Sequence, residues 1–489
     1  GASDIRWLVG NCSGNVGIGT TNPDLPVTSA NTKKLSVGIL SAYQLYGDGS
    51  NITGLSAGGF SADDDVNLFA SNTCSGCNLD GSAGCFNILL GQCAGKETTS
   101  GHNNIAMGRR AGCCITTGDY NTVFGLNAGR KLQGANSNAF MGYYAGECHV
   151  SGDGNVYIGQ MAGQQDTCGV KNIAIGGFAM GACAGNSASR AHNIVMGCRA
   201  AGCLTTGSKN LVLGYLAGDH MLTGSSNVYL GDYSGGFAVG HANVFIGKYA
   251  GKGSSTASNN TGVCNIAIGR KAFEAFTSGG FNVAIGNAAM SAAAVTGSSN
   301  VAIGCAAGKC SVSGECNIFM GTSAGHCLIS GNGNIFMGRY AGKLRCTGGY
   351  NIALGQCALQ GGTYSSNTGT LNTSIGYKSG HAVTTGTQNI FIGSYSGSTS
   401  STGDNNILIG QHVCASSATS STQLAMGCGS CRWICGDSSY NTCLGNSGNI
   451  KAMASGTMCA TCFVGCGAGL TGISAGGFSA DDDNNLFAN

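Results

Sequence analysis

Proline is almost missing from this chain, with 2 among 489 residues. Set beside 87 glycines, that excludes collagen, which needs proline-rich triplets around every third glycine. Charge is scarce as well, at 9% against about 25% in ordinary domains. A disordered tail would carry more charge and less than the 42% hydrophobic content found here. The 23 basic and 21 acidic residues nearly cancel and the cations are scattered, so no basic stripe suggests nucleic acid. No apolar run nears the ~20 residues of a membrane-spanning helix, so no membrane insertion is expected. Signatures of chemistry are equally thin. The 8 histidines do not fall at ligand spacing with acids, and Gly-x-Gly-x-x-Gly strings lack a strand–turn–helix setting. The 21 acids form no pair suited to glycoside hydrolysis. No catalytic, cofactor-binding or metal-binding residues are expected, and no cofactor.

What the chain has is a repeat. Asn-x-x-x-Gly occurs 19 times from Asn87 to Asn406, and 13 of the 18 intervals are 17 residues. With the asparagine as position zero, +1 and +3 are aliphatic in nearly every copy, +4 is always Gly, +7 is Ala in 15 copies and +8 is Gly in 13. Seventeen residues are too few for two packed helices, and this much glycine opposes helix. Strand side chains alternate, and Gly supplies corners. The pattern predicts an all-β fold, a β-solenoid of ~17-residue coils that bury their apolar stripe by stacking about 4.8 Å apart. The asparagines, among them Asn104, Asn121, Asn138, Asn155 and Asn172, are expected to form a column along it.

Positions +1 and +3 are read as the core face. Position +2 then points away, yet 18 of its 19 residues are apolar. A strand facing water on one side should alternate apolar and polar. The +2 row is therefore expected to lie on an oligomer axis covered by sister chains, with Phe140, Tyr157, Tyr229, Phe245, Phe319, Phe336 and Phe391 as candidates. On that reading, Ala302→Arg disrupts assembly and not the coil.

Five regions are expected: 1–52, short strands; 53–86, a junction; 87–414, the regular solenoid; 415–470, degenerate Cys-rich coils; and 471–489, a second junction. Residues 471–489 repeat 53–71 with 16 of 19 positions identical, which suggests either a window on a longer tandem polypeptide or two copies of a capping or junction motif. Insertions at 177–192, 252–264 and 360–371 are expected to form loops on one face.

The 27 cysteines lean towards an oxidising environment, and their odd number leaves at least one unpaired within the chain. Cys198 with Cys203, and Cys305 with Cys310, occupy +5 and +10 of one coil. Cys310 and Cys327 stack at +10 of successive coils, within disulfide reach. Buried thiol, disulfide and metal ligand are all open for them. Asp63–Asp65 and Asp481–Asp483 are either solvated turns or oxygen ligands for a cation.

Two stretches carry a resemblance. Gly14-Asn-Val-Gly-Ile-Gly-Thr-Thr-Asn-Pro23 and Tyr46-Gly-Asp-Gly-Ser-Asn-Ile-Thr-Gly54 resemble segments of bacteriophage tail-fibre and virion fibre proteins, especially those of cyanophages. The Asn-(Ile/Val)-x-Ile-Gly-x-x-Ala-Gly coils are similar to the heads of trimeric autotransporter adhesins. Both families imply a parallel homotrimer that projects from a surface and attaches it to something. The expectation is a non-enzymatic structural fibre at the virion surface or otherwise outside the cell, with a host-surface glycan or receptor as partner. A cell-surface adhesin or extracellular filament subunit is the alternative.

Overall fold

The structure is a computed structural model that describes residues 9–10, 16–17, 60–62, 67–70, 75–79, 84–181, 190–255, 259–292, 294–362, 367–439, 442–444, 478–480 and 486–488. The chain forms two compact units, Gly1–Ala57 and Gly58–Asn489. In the first, Val9–Gly10 pairs antiparallel with Val16–Gly17. The fibre-like strings, apart from Val16–Gly17, and both aspartate runs lie outside the described residues.

The second unit is a parallel β-solenoid of about 19 regular coils, with no α-helix among the described residues. Each copy of the repeat contributes one three-residue strand over +1 to +3, paired in parallel with the strands before and after it. Ile105 lies beside Thr122, Ala106 beside Val123 and Met107 beside Phe124. The same register runs to Ile407–Ile409. Insertions do not disturb it, since Ile173 pairs with Ile194 across a 21-residue interval just as Ile390 pairs with Ile407 across 17. At about 4.8 Å per coil, 19 coils span roughly 90 Å.

Both ends of the sheet turn antiparallel. Phe60–Ala62 pairs with Leu68–Ala70, which begins the parallel ladder. The copy at Gln423 supplies the last parallel strand, Leu424–Cys428. After it the chain folds back as Cys431–Gly436 and then Thr442–Leu444, both antiparallel. The degenerate copy at Asn441 therefore makes no parallel coil. The reason is local: the register shifts at Met426/Gly427, and Ser430-Cys431 stand at +7 and +8, where a regular repeat carries its Ala-Gly corner. Separately, Phe478–Ala480 pairs antiparallel with Leu486–Ala488.

The corners need unusual backbone. Position +4 has φ near 130°, for example 127° at Gly269, where a Cβ would sit 2.7 Å from the Gly286 carbonyl oxygen of the next coil. Only glycine meets both demands. Two further corners use left-handed residues that are not glycine, at −1 (Tyr120, Lys209, Phe281) and at +6 (Arg110, Tyr233, Lys271). Stacking holds them there through backbone bonds on every side of the coil, such as Gly112 N to Ala128 O at 2.9 Å and Arg110 N to Gln92 O at 2.8 Å.

The core reverses one expectation. Position +2 is the inward residue, and Phe140, Tyr157, Tyr229, Phe245, Phe319, Phe336 and Phe391 are all fully buried inside a single chain. They cannot line an oligomer axis, and Ala302 is equally buried, so arginine there would break the coil itself. Positions +1 and +3 point outward and are half-buried or exposed. Parity explains this. The asparagine at zero is fully buried, so +2 shares its side and +1 and +3 take the other. The narrow interior takes one strand residue per coil, completed by +7, +8 and +11. Sizes compensate across it. Where +2 is aromatic, +8 is glycine, as in Phe336 with Gly342 and Phe391 with Gly397. Where +2 is alanine, +8 is often large, as in Ala174 with Met180, Ala267 with Phe273, Ala284 with Met290 and Ala353 with Leu359.

Candidate functional site

Three surfaces and two buried features are candidates for function, each a column produced by repetition. The first is the asparagine ladder. Asn104 N and Nδ2 both donate to Asn87 Oδ1, at 2.9 and 3.1 Å, and Nδ2 also donates to Gly118 O at 2.8 Å. Asn121, Asn138, Asn155 and Asn172 repeat the pattern. The ladder starts at Asn67 and ends on Gln423 N, which donates to Asn406 Oδ1 at 3.0 Å. Each amide binds the strand entry of the next coil to the far corner of its own. The side chains are buried and mutually satisfied, so they weld coils and are not available to a ligand.

A second ladder at −2 was not foreseen. Asp119 accepts from His102 N at 2.7 Å, Asn136 from Asp119 N at 2.8 Å and Asp153 from Asn136 N at 2.7 Å. Ser225 plays the same part for Ser208, and Asp404 for Thr387. Residue identity varies here: the bonded members share a side-chain acceptor, while Val170, Ala191, Val263, Gly280 and Gly349 interrupt the column. A search by identity misses the column, whereas a search for Asp, Asn, Ser or His two residues before each asparagine finds it.

The third column is the outward strand face. Met107, Ile194, Met196, Ile266, Met320, Met337, Ile390 and Ile407 are exposed on it. Aliphatic side chains continue along nearly the whole ladder, beyond the few hundred Å² that monomers usually leave open.

A ridge at +5, +6 and +9 combines tyrosine with cations. Tyr215, Tyr233 and Tyr249 contact one another on successive coils, with ring centroids 5.6 and 5.1 Å apart. Lys248, Lys252 and Lys271 lie 5.4, 5.4 and 5.9 Å from the Tyr249 centroid. Tyr377, Tyr395 and His412 repeat the motif, with Lys378 between the tyrosines. Those tyrosines raise the Lys378 pKa.

Polar groups also enter the core at +11, a column otherwise filled by residues such as Ile115, Leu132 and Phe276. Tyr157 OH donates to Asp166, and Arg190 Nε stands 3.6 Å from Asp166 Oδ1. Burial, then the Asp166 charge, pushes the Tyr157 phenol well up. Arg345 is sealed in, donating through Nη1 to Val383 O at 3.3 Å and through Nη2 to Gly369 O. Burial brings its pKa down to about 10. None of these groups meets solvent, so they serve the packing of inserted coils.

Cys198, Cys305, Cys310 and Cys327 are free thiols, while Cys203 is disulfide-bonded. Neither same-coil pair, Cys198 with Cys203 or Cys305 with Cys310, is therefore joined. Cys198 and Cys305 stand exposed at the outer corner, whereas Cys310 is half-buried and Cys327 buried. Among the described residues, no group of three His, Cys, Asp or Glu side chains could hold a metal ion. No helix among the described residues is long and apolar enough to cross a membrane. No family model, curated protein or solved structure matches the chain.

Proposed function

We propose that this chain is a non-enzymatic structural fibre, the rigid shaft of a phage tail fibre or similar virion appendage serving host attachment outside the cell. The observation that carries the reading is the unbroken, in-register parallel column from Leu68 to Cys428. Its asparagine ladder runs the full length, and insertions leave the register unchanged. Such a column resists bending and offers proteases few open strand edges.

The shaft is a parallel homo-oligomer, with three copies as the fibre resemblance implies. The outward face at +1 and +3 is the contact, in place of the +2 row. A second copy has the same coil spacing, so aliphatic rows on both partners can interlock along the rod. A strip roughly 90 Å long and about 10 Å wide offers about 900 Å², comparable to one side of a standard interface. The tyrosine–lysine ridge stays free to meet a host glycan, stacking on sugar rings while the lysines attract acidic substituents.

Sedimentation and electron microscopy test this. The expected particle is a trimeric rod of roughly 90 Å or more. Ile390→Lys with Ile407→Lys should lower the oligomeric state and leave the strand signal in circular dichroism intact. A wild-type chain that stays monomeric at micromolar concentration overturns the shared-shaft reading.

A further inference from the structure

The geometry points to a reactive dithiol: Cys310 and Cys327, stacked on adjacent coils beside His326, form an inter-coil disulfide by exchange with a low-molecular-weight disulfide. Both occupy +10, and Cys310 N donates to His326 O at 2.9 Å, which fixes the two backbones side by side at sheet spacing. That separation lies within the Cα range a disulfide bridges. The two thiols are close enough to perturb each other's ionisation. His326 Nδ1 lies 3.2 Å from Cys327 Sγ.

The charges around the pair assign unequal roles. Hydrogen bonding from Cys327 holds the Cys310 thiol below the ordinary range against its own burial, and Lys309 adds to the effect. The same hydrogen bond, burial and the neighbouring Cys310 and Cys346 raise Cys327, with Lys343 opposing them. Burial, Lys309 and Lys343 lower the His326 pKa, so its ring is neutral near pH 7 and can take a proton. Cys310 is half-buried and Cys327 buried, so the small disulfide meets Cys310 first.

The exchange runs in two steps. The Cys310 thiolate attacks one sulfur of the small disulfide, forms a mixed disulfide and releases one small thiolate. Nδ1 of His326 then takes the Cys327 proton. The new Cys327 thiolate attacks the Cys310 sulfur and expels the second small thiolate. The two cysteines lose two electrons, the small disulfide gains them, and two protons pass to the released thiols. The product is a covalent rung between the coils of Asn300 and Asn317.

A contrasting cluster lies in the same chain. Burial, followed by Cys114 and Cys93, pushes the Cys113 thiol up to about 11, with a further contribution from Glu97. Cys113 is therefore a slow internal reference.

The experiment treats the reduced full chain with glutathione disulfide at pH 7 and maps thiols by mass spectrometry. Cleavage after Lys309, Glu315 and Arg339 separates Cys310 from Cys327. Cys310 should react at least about tenfold faster than Cys113, its thiolate being far more populated. The product should be a Cys310–Cys327 link that survives Cys316→Ser. In Cys327→Ser the reaction should stop at a glutathione adduct on Cys310, and in His326→Ala that adduct should accumulate transiently. A link that disappears in Cys316→Ser, or a Cys310 no faster than Cys113, overturns the proposal. Unchanged resolution in His326→Ala overturns the proton transfer to the histidine.

Discussion

Replacing one rung of the buried amide ladder, Asn300→Ala, should open the rod at that coil. In the native chain Asn300 Oδ1 accepts from Asn317 N and Nδ2, each at 3.0 Å. Asn300 Nδ2 donates to Gly314 O at 2.8 Å and to Asn282 Oδ1 at 3.0 Å. Alanine leaves the Asn317 amide and the Gly314 carbonyl without those partners in a buried site. Two other groups lose one of two bonds. At about 1–3 kcal/mol for each orphaned group, the cost is about 2–6 kcal/mol. A solenoid transmits damage mainly to nearest neighbours, so the loss should concentrate near residues 300–331. Hydrogen exchange followed by mass spectrometry reads this directly. Protection should fall at Asn317 and its flanking strand, Ile318–Met320, and persist in the coils near Asn138. Asn300→Asp keeps the acceptor for Asn317 but turns a carboxylate oxygen towards the Gly314 carbonyl, so its defect should ease on acidification. A loss below about 1 kcal/mol, with exchange at Asn317 unchanged, would refute the view that the ladder welds the coils.

Gly269→Ala combines a φ of 127° with a Cβ 2.7 Å from Gly286 O, and should cost about 3 kcal/mol or more in urea unfolding. Phe319→Ala should cost about 3–5 kcal/mol. Adding Gly325→Met should recover a large part of it, because the pair then matches Ala284 with Met290, whose methionine already adopts φ 45°. Burial raises the Tyr229 phenol pKa far above its usual value, so the folded chain keeps this proton where the unfolded chain loses it. The contribution is complete below about pH 10 and fades above it by about 1.4 kcal/mol per pH unit. Tyr229→Phe should leave stability at pH 7 nearly unchanged and flatten the alkaline decline, measured as urea midpoint against pH.

Much of this architecture was legible before any coordinates. A 17-residue period, glycine at every +4 and a buried-type asparagine at every zero leave stacked coils as the only economical way to bury the apolar positions. The site residues were less legible. Two aliphatics at +1 and +3 outweigh one variable residue at +2 if apolar count alone decides which face is inward. The better signal was compensation in size, with Phe391 opposite Gly397 but Ala353 opposite Leu359, because only residues sharing a closed volume need to balance. Polar members of the +11 column, such as Asp166 and Arg345, hid for the opposite reason. Their partners come from other coils and from inserted segments, up to 38 residues away for Arg345 and Val383.

The sequence by itself determined the coil: its length, its glycine corners, its stacking and the column of asparagines, all of which follow from local geometry repeated at one period. The tertiary structure alone decided which strand face is the interior and where the chain folds back after Cys428. Those outcomes depend on side chains 17 or more residues apart competing for one narrow volume, and on the cost of leaving any buried amide without a partner.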